Sequence, residues 1–113
     1  MFGFLKKTAP DPMKIEAFCI WFIRNKERII ASVENDDRGM MFAVLDEVEA
    51  QLTAAYCDGY KGQIHFEYGH NPNGKWDLNL YHMNKRFLIA ATGMIAEKLN
   101  REIGSEWSVN VGK

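Results

Sequence analysis

The chain has 113 residues, 47% apolar and 26% charged, with a formal net charge of −1. That length suits one domain, and that composition suits a folded globule rather than a disordered chain. A near-neutral balance supplies no overall field to hold nucleic acid or an anionic membrane.

Residues 1–10, MFGFLKKTAP, are expected to form a flexible or edge segment, with a strand from Phe2 to Lys6 as the structured form. The apolar part is too short for a signal peptide, and its lysines follow it instead of preceding it. The longest uncharged apolar run, Ala17 to Ile23, is too short to span a bilayer. Both features favour a cytoplasmic chain that engages no membrane.

A first helix is expected to start at Asp11-Pro12, an N-cap followed by proline at the first helical position. Ile15, Phe18, Cys19, Phe22, Ile29 and Val33 follow at helical spacing. Ala17 to Ile23 is apolar all round the wheel, so that stretch is buried on several sides, in a core or against a partner. Lys26 falls on the apolar row, where it either snorkels or marks a bend. Glu34 to Arg38 is a polar connection. A second helix should run from Gly39 to Tyr56. Its inward stripe is Met41, Leu45, Val48, Leu52 and Tyr56, and its outward face carries Asp46, Glu47 and Glu49. Cys57 to Gly62 reads as a loop punctuated by two glycines. Cys19 and Cys57 lack the spacing of a redox or zinc motif, which suggests free thiols in a reducing compartment.

Gln63 to Tyr81 gives the strongest local signal, a β-hairpin of two alternating arms around Asn71-Pro72-Asn73-Gly74. Loop length fixes the register. A loop from His70 to Asn73 or Gly74 leaves several pairings, and the expected one, which keeps both apolar faces together, sets Tyr68 opposite Trp76, Phe66 opposite Leu78 and Ile64 opposite Leu80. Glu67 would then face Asp77, and like charges in that position repel. A third helix should run from Lys85 to Ile103, capped by Asn84. Leu88, Ala91, Ile95 and Leu99 would face inward with Phe87 and Ile103 beside them. Gly93 would serve a close backbone approach, and Gly104 would follow the helix as its C′ residue. Trp107, Val109 and Val111 alternate with polar residues as a last strand. The order ααββαβ implies an α+β two-layer sandwich: a small mixed sheet, helices on one face, a right-handed β-α-β crossover, and a partly ferredoxin-like chain order.

Phe18, Trp21, Phe22, Asn25 and Ile29 spell F-x-x-W-F-x-x-N-x-x-x-I. Phe66-Glu67-Tyr68-Gly69 gives F-E-x-G, and Gly74-Lys75-Trp76-Asp77-Leu78 opens the next strand. With Trp107 on a short closing strand, the chain from Phe18 onward resembles a group of uncharacterised bacterial small domains of unknown function. The chain departs from that group in having Cys19 and Ile20 where another aromatic is common. The resemblance implies the fold and brings no activity with it.

The polar face of the hairpin is the best place for chemistry. His65, Glu67 and Asp77 point one way in the expected register, with His70 and His82 near the ends. A histidine and two carboxylates could hold a divalent metal, and a cation would relieve the Glu67–Asp77 repulsion. The alternative is the solvated face of an antiparallel sheet. No Gly-x-Ser-x-Gly, P-loop or dinucleotide fingerprint occurs, so no cofactor is called for. Phe66, Tyr68 and Trp76 could stack bases, but they share a face with Ile64, Leu78 and Leu80, which is a core pattern and argues against nucleic acid.

Charge is unevenly distributed. Residues 34–58 carry seven acids and one arginine, residues 6–28 six bases and three acids, and residues 85–101 four bases and one acid. An acidic second helix between two basic ones suits internal pairing or a complementary partner. The expected function is a non-enzymatic, self-associating protein-interaction domain, such as an immunity or antitoxin-like accessory. The expected contact residues are Ile20, Trp21, Asp46, Glu47 and Glu49. A small divalent-metal-binding protein is the alternative.

Overall fold

Two aspartates start the helical layer. In the computed structural model, which describes residues 9–57, 60 and 62–113, helix α1 spans Pro12–Glu34, and the Asp11 carboxylate accepts from the Met13 amide at 2.9 Å. Helix α2 spans Arg38–Tyr56, with the Asp37 carboxylate accepting from the Met40 amide at 3.1 Å. These bonds satisfy amides that have no partner inside a helix. Lys26 does not bend α1. Its side chain snorkels, and Nζ reaches Glu27 at 3.0 Å and Glu106 at 3.2 Å.

Strands β1 (His65–His70) and β2 (Trp76–Tyr81) form the hairpin. Helix α3 (Arg86–Ile103) then leads to strand β3 (Trp107–Gly112), which lies parallel to β2. The sheet order is β1-β2-β3, with β1 antiparallel to β2. This is the expected α+β order. α1 packs between α2 and α3, and α3 packs on β3 and β2. Trp76, Leu78, Leu80, Trp107 and Val109 are buried beneath the helices. The edge of the Phe22 ring meets Trp107 at 5.0 Å, and Trp107 lies 5.9 Å from Trp76. Among the described residues, no helix is long and apolar enough to cross a membrane. The expected strand from Phe2 to Lys6, and part of the Cys57–Gly62 loop, lie outside the described residues.

Four local expectations need correction. The hairpin register is displaced by two: Phe66 pairs with Leu80, Tyr68 with Leu78 and Glu67 with Asn79, while Asp77 faces Gly69. The cause is the turn. The Asn71 side chain accepts from the Asn73 amide at 2.8 Å, and the Gly74 amide donates to the Asn71 carbonyl at 3.0 Å. Gly74 adopts φ +90°, which glycine tolerates without a Cβ clash. The loop therefore runs from Asn71 to Lys75, so the apolar faces still match and the charge clash disappears.

The α2 stripe is rotated toward Val44 and Ala55, leaving Met41 and Leu45 half-buried. Asn84 does not cap α3. It sits at φ +60°, its amide donating to His82 Nδ1 at 2.9 Å, and α3 begins without a side-chain cap. The glycine expectations change roles as well. Gly93 is exposed with open space around its Cα, whereas a Cβ on Gly104 would lie 2.2 Å from the Asn100 carbonyl oxygen. Gly104 has a right-handed φ of −62°, so close approach rather than backbone conformation requires glycine there.

The same turn places Asn100 beside β3. Its Nδ2 donates to the Val109 carbonyl and its Oδ1 accepts from the Val109 amide, both at 2.9 Å. Side chain thus replaces a neighbouring strand, because alternate residues of a parallel strand point their backbone groups outward. Asn100→Ala is expected to lower the unfolding free energy by about 1–2 kcal/mol, and an unchanged urea midpoint would refute the edge-capping role. Gly93→Ala should act in the opposite direction, raising stability by roughly 0.5–1 kcal/mol in the same titration.

Candidate functional site

Helical spacing divides the acids of α2 into two sets. Glu47 turns toward α1, where both of its oxygens accept from the Arg28 guanidinium. That contact lowers the Glu47 pKa and raises that of Arg28. Both side chains are well exposed, so the pair adds little stability. Phe42, Asp46 and Glu49 lie on another stripe, four and three residues apart. Phe42 is 57% exposed, an unusual state for a phenylalanine flanked by acids.

That stripe faces the hairpin. Phe42, Leu45, Asp46 and Glu49 line one wall of a groove of about 540 Å³, and Ile64 to Glu67 line the other, with Tyr81 at the side. Ile64 and Phe66 are half-buried and pack against the core. The groove lies along the first half of β1, up to Glu67, and the outer margin of the strand continues beyond it to His70. The Asn71 amide donates to the Lys75 carbonyl at 2.7 Å at the mouth of the turn. In an antiparallel ladder, hydrogen-bonded pairs alternate from there through Gly69, Glu67 and His65. The backbone amides and carbonyls of Phe66, Tyr68 and His70 therefore point away from β2. Among the described residues nothing bonds to them.

The outer face of the sheet is knitted across all three strands. Glu67 Oε1 accepts from the Tyr81 hydroxyl at 2.7 Å and from Asn79 Nδ2 at 3.3 Å. Asn79 Oδ1 accepts from Asn110 Nδ2 at 2.9 Å. Both Asp77 oxygens accept from Asn71 Nδ2, at 3.0 and 2.9 Å. Glu67 and Asp77 thus belong to separate hydrogen-bonded groups, and the repulsion that a cation would have relieved is not present. Among the described residues, no three His, Cys, Asp or Glu side chains are arranged to hold a metal ion. His65 pairs across from Tyr81, the His70 ring stands edge-on to Trp76 at 5.2 Å, and His82 serves the turn before α3.

Ile20 and Trp21 differ in exposure. Ile20 is 42% exposed, whereas Trp21 is half-buried, 6.2 Å from the Phe18 ring and packed on the core. The Cys19 thiol is pushed up to about 11, chiefly by burial, so it stays protonated and a poor nucleophile at neutral pH. Sequence reasoning missed Phe42, although an aromatic on the acidic stripe of a helix is a legible signal. The open edge of β1 was not legible, because it depends on which strand β3 joins.

Comparison with protein-family models, with curated proteins and with solved structures finds no match.

The Tyr81 hydroxyl donates to a carboxylate, and its pKa is raised chiefly by that bond. Ionisation would remove the donor and set two negative charges side by side. The bond therefore holds at neutral pH and is lost as pH rises through the Tyr81 titration. Glu67→Gln is expected to bring that titration back toward 10.0, read by NMR or ultraviolet absorbance. An unmoved Tyr81 titration would mean that the hydrogen bond is not maintained in solution.

Proposed function

We propose that this chain is a protein-interaction domain that acts by presenting surface and performs no chemistry of its own. The observation that supports it is the inequality of the two sheet edges. On β3 the Asn100 amide occupies both backbone groups of Val109, the central outward residue, whereas among the described residues no side chain meets the outward backbone groups of β1, which lie beside the exposed Phe42. Exposed strand edges are hazards that folds usually cover, so an open one beside an apolar groove suits a partner. The likeness to small bacterial domains of unknown function is part of this reading and adds no substrate to it. Self-association through the helical layer is a second reading, favoured by the exposure of Ile20 on the outer side of α1.

Native mass spectrometry of untagged protein taken from cells tests the proposal. The expected result is a co-purifying chain whose occupancy falls tenfold or more in Phe42→Asp, since buried aromatic anchors dominate interfaces. A dimer lost in Ile20→Asp and kept in Phe42→Asp would transfer the function to the helical layer. A monomer carrying one divalent ion, released by His65→Ala, would replace the proposal with the metal-binding alternative.

A further inference from the structure

We infer that the groove takes an extended, basic segment of a partner protein, added as a fourth strand along β1. The inference rests on the interaction-domain reading above and identifies the partner by its chemistry. Three features of the groove and of the strand margin that continues from it argue for it. The first is shape: Phe66, Tyr68 and His70 offer outward amides and carbonyls at strand spacing, which an extended backbone can meet and a helix cannot. The second is the apolar surface. Phe42 and Leu45 on α2 face Ile64 and Phe66, so every second side chain of an added strand meets hydrocarbon.

The third is charge. Asp46, Glu49 and Glu67 line the groove, and among the described residues no lysine or arginine does. Among the described residues, none of the three forms a salt bridge, whereas Glu47 on the other side of the same helix is matched by Arg28. Acids on both walls, Asp46 and Glu49 on α2 and Glu67 on β1, with no salt-bridge partner among the described residues, favour a segment that carries Lys or Arg side chains as well as apolar ones. A second copy pairing through β1 would bring these carboxylates against their own equivalents, so charge favours a different chain.

The test uses the full, isotope-labelled chain and two capped heptapeptides, one alternating valine with lysine and one alternating valine with glutamate. The lysine peptide should shift the amides of Phe66, Tyr68 and His70 together with those of Phe42, Asp46 and Glu49. It should bind roughly tenfold more tightly than the glutamate peptide at low salt. Asp46→Lys combined with Glu49→Lys changes only exposed positions and should invert that preference. Equal response to both peptides, shifts confined to the surface around Ile20, or no shift at millimolar peptide would each overturn the inference. So would slow hydrogen exchange at the Phe66, Tyr68 and His70 amides in the free chain, because the edge would then already be filled by residues 1–8 or by a second copy. A co-purifying protein that cross-links away from β1 would sink this inference alone. A bare monomer from cells, with neither peptide bound, would sink the interaction-domain reading with it.

Discussion

Everything in this fold is arranged around the contact of Phe22 with Trp107. Phe22 comes from the middle of α1 and Trp107 opens β3, and their rings meet edge to face 5.0 Å apart, both fully buried. Trp76 then stands directly across from Trp107 in the parallel pair. One aromatic column thus ties the longest helix to two strands far apart in sequence. Edge-to-face geometry adds roughly 0.5–1.5 kcal/mol to the burial of such rings. It also fixes where α1 crosses the sheet, which places α2 beside β1. On the same helix the Asn25 side-chain amide donates back to the Trp21 carbonyl at 2.8 Å. The aromatic motif of α1 thus has an architectural role, with Phe18 and Phe22 in the core and Trp21 packed against it.

That placement divides the molecule into a closed side and an open side. On the closed side, α3 returns over β2 and β3, and Asn100 occupies the margin of β3. Gly104 is needed there because the chain passes too near Asn100 for any side chain. On the other side, β1 has one strand neighbour among the described residues, and its inner aromatics Phe66 and Tyr68 are only half-buried. Burial raises the Tyr68 pKa, with the Ser32 hydroxyl of α1 acting in the opposite direction. The inner face of β1 is thus anchored to the core while its margin stays exposed, a combination that a rigid docking edge requires.

The helices were legible from stripes of the right period, and α1 and α2 each begin at an aspartate cap, whereas α3 has no side-chain cap. Asp11-Pro12 and Asp37 act as the residue types dictate. The strands were legible for the same reason, since alternation survives any even shift of register. What alternation cannot distinguish is one even shift from another. Here the decision belonged to the Asn71 side chain, which folds back on Asn73 and starts the loop one residue later than the pattern alone suggests. That single hydrogen bond decides that Glu67 meets Asn79 and not Asp77. The candidate metal cluster depended on that register. The groove was less legible still, since it joins residues from α2 and β1 that share no pattern and meet only through the packing of α1.

Open edges invite pairing with any extended chain, and native folds usually blunt them with charge. The three carboxylates around β1 can be understood in these terms. They disfavour a second copy of the same edge, because every register of like strands places acid near acid within one Debye length. They disfavour acidic or purely apolar segments for the same reason and for want of a counter-charge. The apolar wall formed by Phe42, Leu45, Ile64 and Phe66 supplies the hydrophobic part of the contact, and the backbone of β1 supplies direction. In the proposed complex, selectivity would come from the acids, which would turn a general hazard into a preference for one class of partner. On this view the acidic stripe of α2 and the open margin of β1 form a single device, and neither makes physical sense without the other.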